Sequence, residues 1–321
     1  MRALIHVSGS RTRAAIVAVT LEETRPLPGQ WRTRLNMGGA WHILRRWPVF
    51  PAIVMATLII FAVFAPLIAP HDPKQGGLQA SSRPPMWLEG GSGTYPLGTD
   101  VQGRDLFSRV VYGARVSALI AGTVIAAGGI GGTVIGLLAG FRGGLVDELA
   151  MRAVDFVLAM PFLLVALVVV IAIGQSLTLI IILLILFSWD SFARVVRAET
   201  LQLKSAGYVD LARIAGASPM RIMFRHILPG LLGSVLVVAS LRVGGLILTE
   251  ATLSFLGVGV PPSVPAWGVM VADGRNYLAT AWWISLVPGM AILTVVMGVN
   301  FLGDWLRDWF DPRLRQLDRA T

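Results

Sequence analysis

The most informative stretch of the sequence lies at residues 208–229 and reads YVDLARIAGASPMRIMFRHILP. It separates two strongly apolar segments, yet it carries too many charges to cross a membrane itself. Gly216 divides it into two short amphipathic helices, predicted at 208–215 and 219–227, and Ser218 is a favoured N-cap for the second. A helix–turn–helix between two membrane segments predicts a docking surface for another protein on the cytoplasmic side.

The composition of the whole chain is that of a membrane protein. Of its 321 residues, 55% are hydrophobic and only 14% are charged, and the mean hydropathy is +0.71. A soluble domain carries about 25% charged residues, so the fold class predicted here is all-α integral membrane. The chain contains no cysteine, which excludes disulfides, thiolate metal sites and a cysteine nucleophile.

The net charge of +9 could indicate a protein that binds nucleic acid, but the distribution of the basic residues indicates membrane topology instead. Eight arginines fall within residues 1–48 against Glu22 and Glu23, and six basic residues fall within residues 194–225 against Glu199 and Asp210. Basic residues beside apolar segments are typical of cytoplasmic loops. The excess charge therefore predicts membrane topology and contact with lipid, and no nucleic-acid partner.

Six membrane-spanning helices account for the apolar segments and place both termini on the arginine-rich side. A hydrocarbon core of about 30 Å requires about 20 apolar residues per helix. The predicted domain organisation is a cytoplasmic tail at 1–47, a membrane domain at 48–314 with a docking loop at about 204–229, and a cytoplasmic tail at 315–321. The predicted spans are 49–69, 118–140, two within 154–189 divided at 174–176, 230–249 and 282–302.

Three segments between these spans are predicted not to cross the membrane. Residues 95–117 carry apolar residues at helical spacing with arginines between them, which favours a helix along the membrane interface. Residues 141–152 are predicted to form a short cytoplasmic turn. Residues 257–281 contain three prolines and are predicted to form an irregular loop on the extracytoplasmic side.

The second predicted span carries glycines at intervals of four residues. Gly128, Gly132, Gly136 and Gly140 lie on one face of a helix at this spacing. Small residues on one face allow two helix backbones to approach closely in lipid. The pattern predicts packing against a neighbouring helix rather than a nucleotide site.

Motifs that would indicate catalysis are missing from the sequence. A P-loop requires G-x-x-x-x-G-K-[ST], but only Lys204 precedes a serine, and Leu203 stands where the glycine must be. The four histidines show no metal-binding spacing, and no G-x-S-x-G motif occurs. We therefore predict that the chain is not an enzyme and holds no cofactor or metal; a membrane-embedded enzyme would need a catalytic cluster.

The docking loop resembles the EAA loop of bacterial ABC-importer permeases, which reads E-A-A, three residues, G, nine residues, I-x-L-P. This chain departs from the pattern with Asp for Glu, Leu for the first Ala and His for Ile, and H-I-L-P is frequent in the peptide and nickel branch of that family. The corresponding residues here are Asp210, Leu211, Ala212, Gly216, His226, Leu228 and Pro229.

The resemblance to the peptide and nickel branch extends over residues 41–314. The segment PLGTDVQGRD at 96–105 and the DPR sequence at 311–313 resemble the C-type permease of the pair. Further matches in chain order are Asp147, Arg152, Asp155 and Pro161, then Trp189 with ARVVR at 193–197, EATLSFLGVG at 250–259, Trp267-Gly268, Pro288-Gly289 and 303–314.

This resemblance implies a type I ABC-importer permease in the bacterial inner membrane. Its implied partners are a second, B-type permease, two cytoplasmic ABC ATPase subunits, an extracytoplasmic solute-binding protein and a peptide substrate, with nickel as the alternative cargo. A stand-alone secondary transporter is the alternative from another class, but it would leave the docking loop unexplained. The residues implied to couple transport to the ATPase are Asp210, Ala212, Arg213, Gly216, Ala217, Ser218 and Arg221.

Charged residues within the predicted spans are candidates for function because burying charge in lipid is costly. Arg242, near the middle of the fifth span, is predicted to line the translocation pathway, to pair with the partner permease, or to reach the membrane surface. Glu250, near the outer end of that span, is predicted to act in gating or to form a structural ion pair or helix–helix hydrogen bond. Arg152 and Asp155 favour an ion-paired membrane anchor.

Overall fold

The computed structural model describes residues 49–310 and is helical in its regular secondary structure. Strand-like pairing in this range is limited to the isolated bridge between Thr99 and Asp105. The prediction of an all-α fold is confirmed. The predicted tails at 1–47 and 315–321 lie outside the described residues.

Ten helices, labelled here in chain order, form the described part of the chain, joined by two 3₁₀ turns at Leu78–Ala80 and Arg275–Tyr277. They are α1 Val49–Ile68, α2 Leu106–Arg142, α3 Gly144–Ala159, α4 Phe162–Ile173, α5 Leu177–Leu186, α6 Trp189–Leu203, α7 Gly207–Ile214, α8 Pro219–Phe255, α9 Trp267–Gly274 and α10 Trp283–Phe310.

Five segments within residues 49–310 are long and apolar enough to cross a membrane: α1, α2, α5 with α6, α8 and α10. Helices α3 and α4 form a sixth span if they are counted together, and they are bent by 78° at a short break. Pro161 lies at this break, where the missing backbone N–H and the ring of proline interrupt a helix. The structure is therefore consistent with six spans, one of them broken.

The glycine face of α2 packs against α6, as the spacing predicts. A β-carbon on Gly132 would lie 2.7 Å from the Cβ of Phe192 and closer still to the backbone oxygen of Trp189. A β-carbon on Gly140 would lie 2.7 Å from the Cβ of Thr200. These separations leave no room for a side chain, so the two helix backbones meet directly.

Replacing Gly132 by alanine is expected to lower the free energy of unfolding by about 1–3 kcal/mol, because overpacking at a rigid backbone contact is destabilising. Gly131 is the matched control, since a β-carbon there meets nothing within 4 Å. Gly131→Ala is expected to leave stability unchanged or raise it by up to about 1 kcal/mol through helix propensity. Thermal unfolding of the purified variants measures both changes in stability. Equal Tm values for Gly132→Ala and Gly131→Ala would contradict the close packing of α2 against α6.

The predicted interfacial helix at 95–117 is wrong. Residues up to Asp105 form a folded loop, and Leu106 begins the 37-residue helix α2. The Asp105 side chain caps this helix by accepting a hydrogen bond from the backbone N–H of Ser108 at 3.0 Å. Leu106 and Val111 are buried in the protein core rather than placed against lipid headgroups.

Three other predicted boundaries also differ from the structure. The turn at 141–152 is limited to Gly143, because α2 ends at Arg142 and α3 begins at Gly144. The second helix of the docking loop continues without a break as α8, through a π-helical segment at Ile222–Ile227. The loop at 257–281 contains α9 in addition to irregular structure.

The connecting segments gather at two opposite ends of the helices. At one end, Trp283 Nε1 donates to the backbone oxygen of Thr99 at 3.2 Å, and Gln175 Nε2 donates to the backbone oxygen of Gly257. At the other end, Lys204 Nζ donates to the backbone oxygen of Gly140 at 3.0 Å. We call the second the docking end, because residues 204–218 lie there.

Candidate functional site

The docking loop has the helix–turn–helix form that its sequence predicts. Helix α7 ends in a Schellman motif, in which the N–H of Ala217 donates to the oxygen of Ala212 and the N–H of Gly216 donates to the oxygen of Arg213, both at 3.0 Å. Gly216 has φ +78°, a conformation that favours glycine. The Ser218 side chain then accepts a hydrogen bond from the N–H of Arg221 at 3.4 Å.

Buried apolar residues fasten this loop to the ends of the membrane helices. Val209 of α7 and Ile222, Met223 and Ile227 of α8 are buried in one cluster with Leu137 of α2, Val196 of α6 and Leu231 of α8. Because the loop is packed against three spans, displacing it must move those spans or break this cluster. The loop is therefore a rigid extension of the helices.

The outward face of the loop is more apolar than the sequence analysis assumed. Leu211, Ile214 and Met220 are each more than half exposed. Of the residues predicted to couple to the ATPase, Ala212 and Ala217 are partly buried, whereas Asp210, Arg213, Gly216, Ser218 and Arg221 are exposed. Ile214 and Met220 were missed because they fall outside the family pattern, and Leu211 was noted only as a departure from it. Leu211 and Ile214 are nevertheless three residues apart, on one face of α7.

The charged residues of the loop are partly satisfied within this chain. Arg213 donates to the Asp210 carboxylate at 2.8 Å and to the backbone oxygen of Lys204 at 3.2 Å. Surface pairs of this kind contribute at most about 1 kcal/mol. The contact with Lys204 is structurally informative because it joins α7 to the end of α6.

Helix α6 carries ion pairs on its charged face. Arg197 makes a bidentate contact with Asp147 of α3, in which one N–O distance is 2.6 Å, and Arg194 contacts Asp155 of α3 at 2.9 Å. Arg152 pairs with Glu148 of its own helix at 2.7 Å. The predicted anchor of Arg152 and Asp155 is therefore not a mutual pair: Asp155 connects α3 with α6.

The two candidate pathway residues on α8 have different surroundings. Arg242 NH2 lies 3.4 Å from a carboxylate oxygen of Asp190 on α6. Glu250 is buried and accepts a hydrogen bond from Ser254 Oγ at 2.7 Å, within its own helix. The structure thus places Arg242 opposite a carboxylate of the same chain, a partner that the sequence analysis did not name.

A second cluster of charged residues lies at the end of the helices that is remote from the docking loop. The Asp100 carboxylate accepts from Arg104 Nε at 2.6 Å and from Arg109 NH1 at 2.8 Å. Asp273 of α9 lies 3.3 Å from Arg104 NH2. Burial raises the pKa of the Asp273 carboxyl above its usual range, and the positive charge of Arg104 opposes that shift. The cluster joins the loop before α2 to α9.

The described residues offer no group of three His, Asp or Glu side chains placed to hold a metal ion. The functional features that sequence reasoning missed are Asp190 and Lys204, which lie near the two ends of α6. Asp190 had a detectable signal, because it is a carboxylate directly after the apolar run that ends at Trp189. Lys204 had a weaker one, as one of two lysines in the chain.

Proteins of similar sequence are permease proteins of peptide transport systems. The di/tripeptide transport system permease protein DppC of Pseudomonas aeruginosa is 40% identical over 263 residues, which cover 82% of this chain and 87% of that protein. The dipeptide transport system permease protein DppC of Escherichia coli K12 is 42% identical over 278 residues, 86% of this chain and 93% of that protein. A putative peptide transport system permease protein of Brucella suis is 43% identical over 263 residues, with coverages of 82% and 86%.

Residues 132–316 match the family described as binding-protein-dependent transport system inner membrane component. This range is more than half of the chain, and it contains the docking loop, α6 and both intramembrane candidates on α8. The resemblance seen in the motifs is confirmed, and the chain is a multi-pass inner-membrane transport component rather than an enzyme. It belongs to the family of binding-protein-dependent transport system inner membrane components.

Proposed function

We propose that this chain is the C-type permease subunit of an ABC importer for short peptides. The names of the similar proteins, which specify dipeptides and di/tripeptides, support the cargo. The observation that carries the proposal is the docking loop: it is exposed on its outward face, capped at Gly216 and packed against three spans. Such an element transmits force from a partner to the membrane helices.

The proposed assembly contains a B-type permease, two cytoplasmic ABC ATPase subunits and an extracytoplasmic binding protein. The docking end then faces the cytoplasm, as do both termini, and the exposed Leu211, Ile214 and Met220 enter a groove of an ATPase subunit. The folded loop at 69–105 and the segment containing α9 face the binding protein. The pathway runs between the two permeases, past Arg242 of α8; a gating role for Glu250 stays a prediction.

Purification of the tagged chain in a mild detergent tests this proposal. We expect a homologous permease and P-loop ATPases to co-purify, and we expect the complex in proteoliposomes to take up a dipeptide only with ATP and the binding protein. An ATPase variant without the P-loop lysine is the control and should abolish uptake. Uptake by the chain alone, driven by an ion gradient, would contradict the proposal and support a secondary transporter.

A further inference from the structure

The ion pair between Asp190 and Arg242 joins two segments that are long and apolar enough to span a membrane. Asp190 is 13 residues from the start of the span Leu177–Leu203 (190 − 177), and Arg242 is 13 residues from the end of the span Pro219–Phe255 (255 − 242). At 1.5 Å per residue, both lie about 20 Å from the end of the helices that is remote from the docking loop. In a hydrocarbon core of about 30 Å, this position lies inside the membrane, nearer to the docking end than to the other end.

The two members of the pair are not equally enclosed. The Asp190 side chain is 4% exposed, whereas the Arg242 side chain is 36% exposed. Their contact uses NH2 of the guanidinium alone, at 3.4 and 3.5 Å from the two carboxylate oxygens. A guanidinium offers five N–H donors in a planar fork, so this long contact leaves donor capacity on the exposed side of Arg242.

The exposed side of Arg242 continues as a stripe of small and polar residues. Gly245, Thr249 and Thr252 follow it at intervals of three, four and three residues, which is one face of a helix. A β-carbon on Gly245 meets nothing within 4 Å, so there is open space one turn from the guanidinium. Both threonine hydroxyls donate to backbone oxygens of their own helix, those of Gly245 and Leu248, at 2.8 Å. The charge of Arg242 is therefore what indicates a surface turned away from lipid.

We propose that Asp190 and Arg242 form a charge-exchange site in the translocation pathway, in which the C-terminal carboxylate of a transported peptide competes with Asp190 for the guanidinium. The proposal rests on the proposed function. A peptide carboxylate approaching along the stripe accepts two parallel hydrogen bonds from the fork, which is the preferred geometry of this pair. Asp190 neutralises the arginine again when the peptide leaves, and so prevents the carboxylate from being held too tightly for transport.

Helix α6 connects this site with the docking end. It carries Asp190 in its first turn and ends beside Lys204, whose backbone oxygen accepts from Arg213 of the docking loop. A displacement of the docking loop therefore acts on the helix that holds Asp190. The strength of the Asp190–Arg242 contact, and with it the affinity for the carboxylate, depends on that displacement.

Two variants that differ only in the guanidinium test the exchange site. In the complete transporter, Asp190→Asn leaves Arg242 without a competing carboxylate and is expected to slow dipeptide uptake about threefold, because the peptide carboxylate is released more slowly. The double variant Asp190→Asn with Arg242→Gln introduces no unpaired charge and is expected to lose uptake at least tenfold while it still assembles and hydrolyses ATP. Equal uptake by the two variants would show a purely structural pair and overturn the inference.

A labelling measurement keeps the test decisive if the double variant does not assemble. The chain has no cysteine, so Arg242→Cys in the complete transporter can be probed with a charged, water-soluble thiol reagent. We expect modification of this cysteine that a saturating dipeptide slows, and no modification of Ile60→Cys on the exposed apolar face of α1. An unreactive Arg242→Cys overturns the inference alone, whereas a wild-type complex that transports no dipeptide overturns the proposed function as well.

Discussion

Replacing Asp100 by asparagine is expected to lower the free energy of unfolding by about 3–5 kcal/mol, the cost of breaking a buried ion pair. The Asp100 carboxylate is 2% exposed and receives Arg104 Nε and Arg109 NH1 on one oxygen. Its other oxygen accepts the backbone N–H groups of Gln102 and Arg104 at 2.9 Å. Asparagine removes the negative charge and turns an N–H₂ group toward donors. The buried Arg109 then keeps the longer contact with Asp273, at 3.6 Å, in place of its 2.8 Å ion pair.

Asp273→Asn is the matched control because it changes the same functional group in the same cluster. The Asp273 side chain is 30% exposed and approaches Arg104 and Arg109 at 3.3 and 3.6 Å, so water replaces much of its interaction. We expect a loss of about 1 kcal/mol or less, typical of solvent-accessible pairs. Thermal unfolding of the purified variants compares the loss of stability in Asp100→Asn with that in Asp273→Asn. A larger loss in Asp273→Asn would show that α9, rather than the loop before α2, holds the cluster together.

The features that the sequence predicted well are those fixed by local chemistry. Gly216 was recognised as a break because few residues other than glycine adopt the positive φ that ends α7. The spacing from Gly128 to Gly140 predicted close helix packing because period and side-chain size alone determine it. The break at 174–176 was also predicted from local sequence, because a glycine and two polar residues interrupt an apolar run there.

The features that the sequence did not predict depend on partners distant in the chain. The arginines at 104 and 109 suggested a membrane-interface helix because their carboxylates, one of them 169 residues after Arg104, were not identified. Arg242 likewise lacked a partner until the structure placed Asp190, 52 residues earlier, against it. Burial of a charge is a property of the pair, and a single sequence does not specify which residues form the pair.

Replacing Gly216 by tryptophan is expected to reduce ATP-dependent uptake at least tenfold while membrane insertion and ATP hydrolysis persist. Gly216 has φ +78°, and a β-carbon in this left-handed conformation costs about 1–2 kcal/mol. The strain alters the turn that orients α7 relative to α8. The bulky ring also lies on the exposed face proposed to enter the ATPase groove, so the loop no longer transmits the ATPase motion to the spans.

Two controls separate backbone strain from lost space at Gly216. Gly207 lies in the same loop, and a β-carbon at either position meets nothing within 4 Å, but only Gly216 has a positive φ. Gly207→Ala is therefore expected to transport normally. Gly216→Asn is expected to transport better than Gly216→Ala, because asparagine tolerates the left-handed conformation. Uptake and ATPase activity of Gly216→Trp are measured together in proteoliposomes. Normal coupled uptake would contradict a role of the docking loop in transport, because its outward face would then contact nothing that drives transport.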